Sequence, residues 1–253
     1  MATRFSGAAV LVTGGGSGIG RAVALAFARE GASVTVVGRR RQPLEETVGL
    51  IEGEGLPGAA TTADVTVAEE VARAVAGAAG PAGRLDVAVN AAGVGAAGTK
   101  VADLDEETWS RVLTANLTGI RMSMKHEIAH MREHGGGAIV NVASSVGAHV
   151  RYPGLGAYAA SKAAVSALTR TAAREYIGDG IRINAVSPGP TDTPMSLRPG
   201  ETEADRAARL KTTLPIGRVG ALEEVASAVL WLASSEAGFT VGHDLVVDGG
   251  ATA

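Results

Sequence analysis

Ala8-Ala-Val-Leu-Val-Thr-Gly-Gly-Gly-Ser-Gly-Ile-Gly20 decides the fold of this chain. Ala8–Val12 is a short apolar run of strand length, and a glycine-rich turn follows it directly. A helical pattern then runs from about Gly18 to Glu30, with Ile19, Val23 and Phe27 recurring every four positions and Gly31 closing it. The same alternation continues outward. Strand-like runs recur at Ser33–Val37, Ala59–Ala63, Leu85–Val89, Ala138–Val142, Ile181–Val186 and Asp244–Val247. Helical patterns separate most of them, at Gln42–Glu54, Val67–Ala79, Asp105–His134, Tyr158–Ile177 and Leu222–Ser234. Continuous apolar strands alternating with helices predict an α/β chain whose parallel sheet is covered on both faces. The one irregular stretch is Pro188–Gly220, punctuated by Pro188, Pro190, Pro194, Pro199 and Pro215. A connection that long in a compact domain predicts a functional lid, here at about residues 190–215, with its centre at Met195–Leu214.

Composition narrows the class. The chain has 253 residues, of which 46% are hydrophobic and 19% charged, enough for one large domain with a substantial core. No interior linker or repeat divides it, so residues 1–253 read as a single domain. The formal charge of −3 offers no basic surplus for nucleic acid or an anionic membrane. With no cysteine, disulfides, thiol catalysis and thiolate metal sites are excluded. The start, Met1-Ala-Thr-Arg-Phe-Ser, carries no signal-peptide pattern and no run is long enough to span a bilayer, so the expected setting is the cytoplasm.

The turn Thr13-Gly-Gly-Gly-Ser-Gly-Ile-Gly20 has the form TGxxxGxG, not GxGxxG. Its physics is that of a dinucleotide turn: glycines bring the backbone close to a pyrophosphate, which the free N–H groups of the helix N-terminus hold. Gly14, Ser17, Gly18, Ile19 and Gly20 are the contacts expected there, in a Rossmann-type doubly wound sheet of about seven strands. An acid at the end of the second strand would accept from a ribose 2′-hydroxyl and favour NAD. This chain instead has Gly38-Arg39-Arg40-Arg41. Loss of the carboxylate removes repulsion of a 2′-phosphate, and a guanidinium forks onto one. NADP(H) is therefore the preferred cofactor, with Arg39 the main contact and Arg40 a second; NAD(H) stays open, because a solvated basic loop reads the same way.

Tyr158 and Lys162 are four residues apart in a helix-forming run, so they share one helix face. A phenol near pKa ~10 is too weak an acid for neutral pH. An ammonium ~4 Å away interacts with a phenolate by about 4 kcal/mol at an effective dielectric of ~20. At ~1.36 kcal/mol per unit, that lowers the phenol by up to roughly 3 units. The pair is thus a candidate general acid/base.

Together the motifs resemble the short-chain dehydrogenase/reductase family, in its branch of chains about 250 residues long. The resemblance covers nearly the whole chain. It rests on Thr13–Gly20, Asp64-Val65, Asn90-Ala-Ala-Gly93, Asn116 in Thr-Ala-Asn-Leu-Thr-Gly, Asn141-Val-Ala-Ser-Ser145, Tyr158–Lys162, Pro188-Gly189 through Thr193-Pro194, and Val247-Asp-Gly-Gly250. Ala91 stands where the family often has a second Asn, and Gly38 replaces the acid of NAD-specific members. The resemblance implies hydride transfer between NADP(H) and a ketone or secondary alcohol. In it Tyr158 is the general acid/base, Lys162 lowers its pKa and binds the nicotinamide ribose, and Asn116 positions a relay water. A serine polarises the carbonyl. Chemistry does not choose between Ser144 and Ser145; the family's usual spacing of thirteen residues to the tyrosine selects Ser145. Asp64 and Val65 would flank the adenine, Asn90, Ala91, Ala92 and Gly93 the ribose side, and Pro188, Gly189, Thr191 and Thr193 the carboxamide. A homotetramer is implied too, formed through the Asp105–His134 and Tyr158–Ile177 helices and the C-terminal strand.

Two other classes compete. His126-Glu127-Ile-Ala-His130 matches the HExxH helix of zinc peptidases, and His134 extends its face. Position 136 is Gly136, so the extended motif's third ligand is missing, and histidines near a helix C-terminus also suit its dipole. No metal site is assigned. A catalytically idle dinucleotide-binding scaffold is the other alternative, against which the complete Asn116, Ser145, Tyr158 and Lys162 set weighs. The substrate stays open. Val94–Thr99 and Val146–Gly156 are the expected pocket walls, with His149, Arg151 and Tyr152 as candidate contacts.

Overall fold

A computed structural model of the protein describes residues 3–80, 83–198 and 200–253; Met1, Ala2, Pro81, Ala82 and Pro199 lie outside them. In chain order its main elements are β1 (Ala9–Thr13), α1 (Gly18–Arg29), β2 (Ser33–Gly38), α2 (Arg41–Gly53), β3 (Gly58–Thr62), α3 (Ala68–Ala78), β4 (Val87–Asn90), α4 (Glu106–Leu113), α5 (Gly119–Glu133), β5 (Gly137–Val142), α6 (Ser145–Ala148), α7 (Gly156–Tyr176), β6 (Ile181–Pro188), α8 (Glu203–Thr213), α9 (Leu222–Ala233) and β7 (Asp244–Val247). All strand pairs are parallel, in the order β3-β2-β1-β4-β5-β6-β7. This is the Rossmann-type α/β domain expected. The order reverses between β1 and β4, which opens a crevice at the carboxyl ends of those two strands.

Successive strand residues point to opposite faces, and both faces are buried. Val10 and Val12 of β1 pack with Val23 and Phe27 of α1 and with Val225 and Val229 of α9. Leu11, between them, joins Ile139 and Ile183 on the other face, under Val71 and Val75 of α3, Ile120 and Met124 of α5, and Val165 of α7. Burying one such side chain stabilises the fold by about 1.5–3 kcal/mol. The unbroken apolar runs exist because each strand must satisfy two helical layers at once.

Two segments depart from the sequence reading. The Asp105–His134 run is not one helix: α4 and α5 are separated by a π-helical turn at Thr114–Thr118 that contains Asn116. The stretch read as irregular, Pro188–Gly220, contains α8. That helix is charged almost all round and buries only Arg206 and Leu210, so it shows little apolar periodicity. A capping box, with Thr202 and Asp205 each accepting from the other's backbone N–H, starts it instead.

Arg182 on β6 closes α9. The last carbonyls of a helix lack intrahelical donors. Here the guanidinium donates to the carbonyls of Leu232 (2.8 Å), Ala233 (2.9 Å), Ser234 (2.9 Å) and, beyond the helix, Ala237 (3.2 Å). No helix of the described residues is long and apolar enough to cross a membrane. Replacing Arg182 with Met leaves those carbonyls short of donors, with an expected loss of about 2 kcal/mol and a fall in Tm of roughly 4–8 °C. A thermal melt with no change in Tm would show that water replaces the guanidinium without cost.

Candidate active site

The site begins at the β1–α1 turn. Gly14 (φ +71°) and Gly18 (φ +51°) take left-handed conformations that side chains rarely adopt. A Cβ on Gly14 would stand 2.8 Å from the backbone of Ala91 and Ala92, so only glycine lets this turn lie against the end of β4. Gly15 O accepts from Thr47 Oγ1 (2.9 Å) and Gly16 O from Arg21 Nη2 (2.6 Å), which ties the turn's carbonyls back toward α2. At the head of α1, Ser17 makes no side-chain cap. The N–H groups of Gly18, Ile19 and Gly20 therefore remain available at the positive end of a twelve-residue helix. This cradle fits a pyrophosphate.

The end of β2 fits the other half of the ligand. Arg39 and Arg40 are exposed and form no ion pair among the described residues, whereas Arg41 is engaged by Glu45 at 2.6 Å. Further along the sheet edge, Asp64 Oδ1 accepts from both the backbone N–H (2.9 Å) and the hydroxyl (2.8 Å) of Thr66, which fixes the turn that carries Val65. Val65 itself packs against Gly119.

Asn90 ends β4. Its side chain turns inward and is fully buried, donating to Glu127 Oε2 (2.9 Å) and Asn141 Oδ1 (3.1 Å). Only its backbone and the residues after it face the crevice edge. Ala91 N donates to Thr13 O (3.2 Å) and Ala92 N to Thr13 Oγ1 (3.4 Å). A Cβ on Gly93 would lie 3.1 Å from Asn116 Oδ1 and 3.7 Å from Lys162 Nζ, so the bare backbone there borders the lysine. At the end of β6, Gly189 packs against Asp248, Thr191 Oγ1 donates to Gly189 O (3.0 Å), and Thr193 N donates to Thr191 O (2.7 Å). The Thr193 methyl sits 3.2 Å from where a Gly18 Cβ would be, which brings the segment after Pro188 onto the glycine turn.

Lys162 is buried on α7 and donates to Val142 O at 2.8 Å, its one hydrogen bond among the described residues. Burial pulls its ammonium down to about 8. Its Nζ stands 5.9 Å from the centroid of the Tyr158 ring. The phenol itself is raised above its ordinary value by burial, and the group that pulls it down is the Ser144 hydroxyl. Ser144 Oγ also caps the α6 turn by accepting from Val146 N (3.1 Å). Ser145 is buried, with its carbonyl accepting from Val150 N (2.9 Å). An inversion at Gly147 (φ +130°), where a Cβ would strike the α7 backbone, shapes the loop between these serines and Tyr158.

Asn116 is fully buried, and its amide clamps Val94: Oδ1 accepts from Val94 N (2.7 Å) and Nδ2 donates to Val94 O (2.9 Å) and Ser161 Oγ (3.1 Å). The side chain thus fixes the strand that leaves Gly93 beside Lys162. Of the expected pocket contacts, Arg151 and Tyr152 are exposed, while His149 Nε2 is held at 3.0 Å by the buried carboxylate of Asp244. Between the two expected pocket walls lies a cavity of about 230 Å³, bordered by Ala96, Ala97, Thr99, Gly154, Ala157 and, from α4, Arg111.

The HExxH reading fails on geometry. Glu127 points into the core and is fully buried, away from any histidine face. His130 Nε2 meets Gly83 O at 3.1 Å, and the His134 ring stacks on that of His130 at 4.2 Å. Among the described residues no group of three acidic or imidazole side chains could hold a metal.

The fold is shared with known proteins. A family model described as Enoyl-(Acyl carrier protein) reductase matches residues 14–252. The chain belongs to the short-chain dehydrogenase/reductase family. Among similar family members, cis-4-hydroxycyclohexanecarboxylate dehydrogenase of Sinomonas cyclohexanicum is 41% identical over 100% of both chains. Cyclohexanol dehydrogenase of an Acinetobacter species is 38% identical over 100% of this chain and 98% of its own. The crystal structure of levodione reductase superposes with a TM-score of 0.93 at 33% identity, over 98% of this chain and 99% of that one. As a short-chain dehydrogenase/reductase the protein is an oxidoreductase acting on CH–OH and C=O groups, and the family implies a nicotinamide dinucleotide cofactor.

Behind this site the buried Glu127 carries a testable consequence. Burial raises its carboxyl from the ordinary 4.5 to about 8, and the hydrogen bond from Asn90 only partly offsets this. An unfolded chain releases that proton near 4.5, whereas the folded one keeps it, so this group weakens stability as pH rises from about 4.5 to 8. Glu127→Gln removes the ionisation and keeps an amide-sized side chain. Its stability relative to the wild type should increase between pH 5 and 8, as read by urea unfolding. A pH-independent difference would show that Glu127 is ionised in the folded protein.

Proposed function

We propose that this short-chain dehydrogenase/reductase transfers hydride between NADP(H) and a small ketone or secondary alcohol. The observation that carries this reading is the convergence of Ser144, Tyr158 and Lys162 beside the bare backbone of Gly93, at the carboxyl edge where the glycine turn opens. When bound, the nicotinamide supplies the hydride. The protein's own residues hold, orient and move the proton. Gly14 and Gly18 to Gly20 bind the pyrophosphate, Asp64 and Val65 flank the adenine, and Arg39, with Arg40, meets the 2′-phosphate. Lys162, with two ammonium donors beyond the one given to Val142, holds the nicotinamide ribose hydroxyls. Pro188, Gly189, Thr191 and Thr193 border the carboxamide.

In reduction Tyr158 Oη gives its proton to the carbonyl oxygen as the carbon takes hydride; in oxidation the phenolate takes the alcohol proton. Ser144 replaces the expected Ser145 as the hydroxyl that polarises that oxygen, since it is the serine that acts on the phenol. Because the Asn116 amide is occupied by Val94 and Ser161, its relay role passes to the main-chain carbonyl within the π turn, a kind of turn frequent at functional sites. The segment around α8 acts as the lid. Relatives named for ring alcohols make cyclohexanols the first substrates to assay. NADP(H) over NAD(H) rests on the unpaired Arg39 and Arg40. Self-association is supported by the open edge of β7 and by the fully exposed Phe239 just before it.

Three measurements test the reading. Arg39→Ala should weaken NADPH binding by about tenfold or more while leaving NADH nearly untouched, a loss of ~1.4 kcal/mol confined to the phosphate; equal losses would remove the 2′-phosphate argument. Tyr158→Phe and Ser144→Ala should each lower turnover by roughly 10²–10⁴, with Ser145→Ala far milder. The reverse ranking of the two serines would return the role to Ser145. Lack of turnover by wild type and mutants alike across a broad panel, with nucleotide still bound, would favour an idle scaffold. Alcohol oxidation needs the phenolate, and burial holds the phenol high, so its rate should climb with pH across 6 to 9. A flat profile with chemistry limiting would remove Tyr158 as the base.

A further inference from the structure

Arg206 of α8 is nearly fully buried although it lies in a largely charged helix that otherwise buries only Leu210. Its guanidinium reaches out of the lid to the segment that follows β6. Nη2 donates to Asp192 Oδ1 at 2.6 Å; Nη1 donates to Ser196 Oγ at 2.9 Å and to Thr193 O at 3.3 Å. Ser196 Oγ in turn donates to Thr193 O at 2.8 Å. Thr193 is therefore gripped at its carbonyl by two side chains, while its methyl rests on Gly18 at the head of α1. A planar guanidinium serves several acceptors in fixed directions, which an ammonium on a flexible stem does not. The arginine's remaining donor, Nε, is buried with no partner among the described residues, so the residue is held for its reach and not for local satisfaction. The neighbouring Arg209 forks onto Glu201 at 2.6 and 2.7 Å, closing the lid on itself, and adds one longer donation to Ser196 O at 3.3 Å.

We infer that Arg206 is a positioning residue for the dinucleotide, holding Thr193 over the glycine turn and thereby coupling the lid helix to cofactor retention. The inference rests on the dinucleotide site proposed above. Opening α8 away from the turn must break the three Arg206 contacts together with the longer Arg209 donation to Ser196 O, so release of the dinucleotide is governed chiefly by Arg206. Asp192, more than half exposed at its side chain, is the acceptor that sets the direction of the fork.

Calorimetric titration of NADPH and NADH, with stopped-flow measurement of their release, tests this on Arg206→Met, Arg206→Lys and Glu201→Gln. Both Arg206 variants should bind dinucleotide about tenfold or more weakly and release it correspondingly faster, with the rise in dinucleotide KM exceeding any fall in the hydride-transfer rate at saturation. Glu201→Gln loosens the lid without touching the Arg206 contacts and should bind within about twofold of wild type. Dinucleotide affinity unchanged in the Arg206 variants, a full rescue by Lys, or an equal loss in Glu201→Gln would overturn the inference. Where Arg206→Met fails to fold, the double variant Asp192→Ala, Ser196→Ala removes the acceptors from the exposed side and asks the same question. Wild-type protein that binds neither dinucleotide would instead overturn the proposed function itself, which separates the two failures.

Discussion

The contact between the β1–α1 turn and the end of β4 is the constraint on which the rest of the molecule depends. Gly14 presses its Cα against the backbone of Ala91 and Ala92 at a distance that leaves no room for a Cβ, and Gly20 packs as closely beneath Gly14. Because those two strands mark the point where the sheet order reverses, closing this contact draws the helix N-terminus, the backbone after β4 and the segment after β6 toward one crevice. Thr13 reinforces it by accepting from both Ala91 and Ala92. A side chain at Gly14 would push the turn off β4 and misplace the pyrophosphate cradle and the Gly93 backbone at once.

Polar groups inside the sheet continue that constraint downward. Asn90 and Asn141 face each other across β4 and β5 at 3.1 Å, and each reaches a helix: Asn90 to Glu127 of α5, Asn141 to Thr169 of α7 at 2.9 Å. Unmet buried polar groups are costly, so such a ladder has few alternative arrangements. It fixes α5 and α7 relative to the strand ends. Lys162 and Tyr158 ride on α7, and their placement near Ser144 follows from it. The proposed proton chemistry is thus built on a rigid floor.

Several features were legible and others were not, for identifiable reasons. The strands and most helices announced themselves because both sheet faces demand apolar residues, and the glycine turn because its backbone tolerates nothing else. Helix α8 escaped because its few buried positions include an arginine; its only plain local signal was the Thr202/Asp205 capping box. The break in the Asp105–His134 helix escaped because a π turn widens the backbone without any proline or glycine at its centre. His126, Glu127 and His130 mimicked a metal motif because helical periodicity alone cannot say that the glutamate faces a sheet.

By itself the sequence determined the class of fold, the location of the crevice and the chemical types gathered there, because apolar periodicity and glycine geometry are local and hard to imitate. The family followed from the same residues in their order. Only the tertiary structure decided that Lys162 spends a donor on Val142, that Asn90 looks inward to Glu127, and that Arg206 ties α8 to the segment over the glycine turn. Those outcomes depend on side-chain direction, burial and competition for hydrogen-bond partners. Such properties arise between segments far apart in the chain and leave no periodic trace within any one of them.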